Sequence, residues 1–182
     1  MKIKGFLTAL LSISFLWLFY QYRLAQEQLL QAEAIVLYAD YANEGDKLTY
    51  LDTAHKSLKE AITNLETIPD IPGSGYQQAQ AILAKLRARL DTNEQRLQKE
   101  EQALAKLKAA QKLAKEASIM VRQSPHSSEA LRNAQTKWQE AINLLMSIPD
   151  NTFASVPRQK TLSRVRNRYN AISNRLKIEK QP

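Results

Sequence analysis

Apolar residues in this chain recur at steps of three and four, the spacing that places side chains on one face of an α-helix. Between residues 47 and 68, Leu51, Ala54, Leu58, Ala61, Ile62, Leu65 and Ile68 fall in one stripe about 120° wide at ~100° per residue. Eighty positions later, Leu131, Ala134, Trp138, Ala141, Ile142, Leu145 and Ile148 repeat that stripe. No segment alternates with a period of two, so the pattern predicts an all-α fold. Glycine and proline beyond residue 21 are confined to Gly45, the stretches 69–75 and 149–157, Pro125 and Pro182. The intervals between them predict helices over 22–43, 47–68, 76–123, 127–148 and 157–180. Gly45 is expected in the left-handed conformation that stops a helix, with Asp46 capping the next one. Ser127 or Ser128 is placed to cap the fourth helix, and Pro157 suits the first turn of the fifth.

The repetition extends beyond one stripe. Residues 58–70 read LKEAITNLETIPD and residues 138–150 read WQEAINLLMSIPD, identical at seven of thirteen positions. Downstream, Leu83, Leu86, Arg87, Arg89 and Arg96 match Leu162, Val165, Arg166, Arg168 and Arg175 at an offset of 79. Upstream, Ala32, Ile35 and Ala39 match Ala110, Leu113 and Ala117 at an offset of 78. The offset changes only at the loops, where insertions are tolerated. The chain therefore divides into an N-terminal segment, 1–21, and two copies of a three-helix unit, 22–98 and 99–182. Residues 76–123 hold neither Gly nor Pro, so the last helix of one unit is expected to continue into the first helix of the next, forming a rod. Leu83, Leu90, Leu97 and Leu104 recur at seven-residue steps, with Leu86 and Leu107 in the partner position and Asn93 and Glu100 between them. That seam is expected to stay wet near its middle, and it allows dimerisation without requiring it.

Residues 6–20, FLTALLSISFLWLFY, carry no charge and follow Lys2 and Lys4. Interfacial Tyr20 and Tyr22 extend the run toward the ~17–25 residues of a transmembrane helix. The bulky, charged YQYRLAQ that follows lacks the small residues of a cleavage site, so an uncleaved anchor is expected. The Lys/Arg bias puts its N-terminus in the cytoplasm and the rest on the far side of the membrane.

The wording Ala134, Trp138, Ala141, Ile142, Leu145, Ile148 and Pro149 resembles the A-x3-W-x2-A-I-x2-L-x2-I-P repeats of cyanobacterial-type membrane-anchored helical-repeat proteins. The layout is distantly similar to tetratricopeptide and spectrin-type repeats. The period near 79 departs from the first, and unmatched Trp positions depart from the second. The resemblance implies an architecture and carries no catalytic residue.

Composition narrows the chemistry further. The chain has no cysteine, which excludes disulfides and thiol chemistry. His55 and His126 have no second ligand at metal spacing. No phosphate-binding glycine loop, nucleophile elbow or dinucleotide fingerprint occurs. Neither an enzyme nor a cofactor is expected. Asp40, Glu44, Asp46, Asp70 and Asp150 read as caps and loop residues, and Trp138 and the tyrosines read as packing. The exception is charge. The net charge is +8, and residues 157–182 carry eight Lys and Arg against Glu179 alone, which leaves +7 there. Lys160, Arg164, Arg168 and Arg175 form one stripe opposite Leu162, Val165, Tyr169, Ile172 and Leu176. That basic face reads either as a solvated face that aids solubility or as the candidate surface for an anionic partner, an acidic protein patch, a lipid surface or a polyanion. Nucleic acid suits the charge but not the expected topology, and no binding motif accompanies it. The reading is a non-enzymatic, membrane-anchored scaffold or spacer. The alternative is a cytoplasm-facing adaptor whose basic helix binds an anionic lipid surface or nucleic acid.

Overall fold

The computed structural model describes the backbone of residues 2–45, 47–71 and 74–178, and within these the side chains from Leu16 onward. Among the described residues the chain is five helices and no strand: α1 Lys2–Glu44, α2 Leu48–Glu66, α3 Tyr76–Gln123, α4 Ser128–Met146 and α5 Ser155–Ile178. Contacts divide it into two units, Met1–Leu97 and Gln98–Pro182, with α3 contributing to both.

The stripes in the pattern become the two cores. In the first unit Leu51, Ala54, Leu58, Ala61 and Leu65 of α2 are buried. Ala54, Leu58, Ala61 and Leu65 pack with Leu29, Ala32 and Ala39 of α1 and Ala79, Leu83 and Leu86 of α3. In the second unit Leu131, Ala134, Trp138, Ala141, Ile142 and Leu145 of α4 are buried. Their partners are Ala103, Leu107, Ala110 and Ala117 of α3 and Val165, Ile172 and Leu176 of α5. The seam of α3 is thus used inside the units. Leu83, Leu86 and Leu90 join the first core, and Leu104 and Leu107 the second. Its polar members do not stay wet as expected. Asn93 is 0% and Glu100 1% exposed. One Glu100 oxygen is satisfied by the backbone N–H of Phe153 at 2.7 Å.

The repeated phrase closes both middle helices in the same way. Ile68 and Ile148 donate their N–H groups to Leu65 and Leu145 at 3.2 and 3.3 Å, tightening the last turn. Thr67 and Ser147 hydroxyls donate to the carbonyls of Asn64 and Leu144. Beyond the proline, a hydroxyl donates back to its carbonyl: Ser74 to Pro69 at 2.7 Å, Thr152 to Pro149 at 2.8 Å. The helices stop short of the sequence-predicted 68 and 148 because those tightened turns precede Pro69 and Pro149.

One turn expectation is corrected. Among the described residues the glycine in the left-handed region is Gly75, at φ +78°, and Gly45 does not adopt it. Gly75 sits where a Cβ would lie 3.0 Å from Leu29 Cδ1, so close approach as well as backbone conformation selects glycine. Asp46 lies outside the described residues, and Lys47 occupies the cap position of α2 without a side-chain cap bond. Ser127 does cap α4, its hydroxyl accepting from the Ala130 N–H at 3.2 Å.

The expected anchor, 1–21, falls mostly on residues 1–15, whose side chains lie outside the described set. Among the described residues no helix is long and apolar enough to cross a membrane.

A candidate anion-binding surface in the second unit

On the basic face of α5, Lys160, Arg164, Arg166, Arg168 and Lys177 are exposed and Arg175 is half-buried. Arg168 and Arg175 also reach back within their own unit. Arg168 donates to the Ser118 hydroxyl on α3, and the Arg175 guanidinium lies 3.5 Å from His126 Nδ1 in the loop before α4.

The first unit explains this geometry. There Arg89, the counterpart of Arg168, pairs with Asp40 on α1 through Nε at 2.5 Å. Arg96, the counterpart of Arg175, donates to the Gly45 carbonyl at 3.1 Å. Arg87 pairs with Glu66 at 2.7 Å, and its counterpart Arg166 reaches Met146 Sδ at 3.5 Å. The repeated arginines tie the third helix of each unit to the other two. A stripe read on one helix cannot disclose this, because the partners lie about fifty residues away. Asp40 and Ser118 are themselves equivalent at the upstream offset of 78. The second copy therefore has the arginine without the carboxylate.

Arg168 lines a groove of about 550 Å³ between the C-terminal part of α3 and α5, with Trp138 of α4 at its wall. Lys115 and Arg122 bring two more cations, and none of the lining residues is acidic. The rest of the lining is mostly apolar: Ile119, Val121, Ala171 and Ile172. Trp138 is 2% exposed, and its indole Nε1–H has no acceptor among the described residues. The sequence pattern assigned Trp138 to packing, which holds, and missed the groove.

The nearest acid on this stretch of α3, Glu116, is committed elsewhere. It takes a 2.7 Å hydrogen bond from Lys137. That bond, and then the Lys137 charge, hold its carboxyl below the usual range. The same hydrogen bond pushes the Lys137 ammonium up. A lowered carboxyl contributes stability above its unfolded pKa and loses it as pH falls through the folded one. A raised ammonium contributes below its unfolded pKa and loses it as pH rises through the folded one. Glu116→Gln should therefore make the acid limb of the stability–pH curve shallower, a change readable in thermal midpoints taken across the carboxylate range.

His55 Nε2 sits 3.9 Å from Glu94 and His126 is exposed. Among the described residues no three His, Cys, Asp or Glu gather as metal ligands. Asp150 pairs with Arg158, which also donates to the Ile148 carbonyl at 2.7 Å. The acid after the repeated Ile-Pro thus secures a helix junction. Comparison with protein families, curated proteins and solved structures finds no match to this chain, so no relative assigns a role to these residues.

Proposed function

We propose that this chain is a non-enzymatic, single-pass membrane-anchored scaffold whose helical repeats hold an interaction surface away from the bilayer. One observation carries the reading. Leu16, Trp17, Leu18, Phe19 and Tyr20 are all exposed, on five consecutive positions and hence on every face of α1. A helix apolar all round finds no partner within its own chain and is suited to lipid. The uncharged run 6–20 continues the same character upstream, and α1 carries it without a break into the core residues Ala25 and Leu29. The non-enzymatic part rests on what the repeat preserves: the shared positions serve core stripes, helix ends and inter-helix ties. Exposed Lys160 and Arg164, with Arg166 and Lys177, suit an acidic protein surface.

The full chain, expressed with a C-terminal reporter, should pellet with membranes and resist an alkaline carbonate wash, with the reporter on the non-cytoplasmic side. Release by carbonate would overturn the anchor. Lys160→Glu with Arg164→Glu should weaken retention on immobilised polyglutamate at low salt and leave the thermal midpoint in place. Unchanged retention would assign those charges to solubility.

A further inference from the structure

We infer that the groove formed by α3, α4 and α5 in the second unit binds a small amphipathic anion, one apolar body bearing a carboxylate, sulfonate or phosphate head. The inference does not depend on α1 entering a membrane.

Size comes first. A cavity of about 550 Å³ falls in the ~300–1,000 Å³ range of small-molecule sites. A folded protein partner would need roughly 800 Å² on each side. The lining then sets the chemistry. Lys115, Arg122 and Arg168 are set beside Ile119, Val121 and Ile172, so an occupant that satisfies both sets has one charged end and one apolar end. Cations held together without an acid repel one another, and an anion relieves that repulsion.

The duplicated unit supplies the contrast. At the positions equivalent to Lys115, Ser118, Arg122 and Ile172, the first unit has Leu37, Asp40, Glu44 and Asn93. The first copy thus sets two acids against its one arginine, and the second sets three cations against none. A surface needed only for folding or solubility had a working solution in the first copy, the Arg89–Asp40 pair. In the second, Arg168 meets only the Ser118 hydroxyl at that place, which leaves most of its donors for another acceptor. Trp138 adds an independent sign. A buried N–H without an acceptor costs about 1–3 kcal/mol, and this one belongs to a residue of the groove wall.

Trp138 is also the reporter. With Trp17→Phe it becomes the sole tryptophan of the chain. The full chain, held in a nonionic detergent whether or not α1 enters a membrane, would be titrated with decanoate, decanol and acetate, and its emission referred to that of the detergent alone. Decanoate should shift the Trp138 emission saturably, with decanol and acetate at least tenfold weaker. Ser118→Asp rebuilds the first unit's pair, so it should weaken decanoate tenfold or more while the thermal midpoint holds or rises. Arg122→Gln with Arg168→Gln should do the same to binding and leave the decanol response unmoved. Equal responses to decanol and decanoate would overturn the proposal, because they would show partition of the chain without recognition of the anion. So would undiminished decanoate binding by a folded Ser118→Asp variant.

Discussion

Leu58→Ala should cost about 2–5 kcal/mol of folding stability, the range for emptying a buried leucine site. Leu58 lies at the centre of the α2 stripe with no exposed surface, enclosed by the core that α1, α2 and α3 build together. Three helices fixed around it can close the void only in part. The loss should be local. Amide hydrogen exchange should lose protection along α1, α2 and the start of α3 and keep it in α4 and α5. A matching truncation of Leu37, 71% exposed on α1, should change stability by no more than ~0.5 kcal/mol. Equal effects at the two positions would show that the stripe is not the core.

Asn93→Leu should act in the opposite direction and raise stability by about 1–3 kcal/mol. Asn93 has no exposed surface, and neither its amide oxygen nor its nitrogen has a partner among the described residues. Each such orphan carries the desolvation cost of a hydrogen bond not made. Leucine keeps the branching at Cγ and extends the run of Leu83, Leu86 and Leu90, and the equivalent place in the second unit is already apolar, Ile172. A denaturant midpoint moved upward with an unchanged slope would be the confirming result. A lower midpoint would mean that the extra volume strains the site more than the orphaned amide did.

Asn93 also shows where the sequence was legible and where it was not. A helical stripe is a local property, so the buried faces of α2 and α4 and both bounds of α3 follow from spacing and from the absence of breakers. The role of the Ile-Pro-Asp phrase follows too, because a helix end is made by neighbours in sequence. Whether a polar residue in a seam is wet depends on what the other helices pack over it, and spacing along α3 does not contain that. The contacts made by the basic face were out of reach for the same reason. Its four residues share a helical angle, yet Arg168 and Arg175 belong to ties with elements about fifty positions upstream. The groove gathers residues from three separated segments, and one signal in the sequence pointed to it: Asp40 in one copy standing against Ser118 in the other. Aligned for what they share, the copies give the fold. Aligned for what they do not share, they locate the candidate site.

Helix α3 runs unbroken from Tyr76 to Gln123, while the division between the units falls after Leu97. Starting a helix is the unfavourable step, with a nucleation constant of about 10⁻³, and lengthening one is nearly free. In a chain made from its N-terminus, the first core holds residues 76–97 helical before the second unit is complete. The carbonyls of Glu94, Gln95, Arg96 and Leu97 then stand ready for the amides of Gln98, Lys99, Glu100 and Glu101. The second unit need not begin its first helix; it has only to extend one already started.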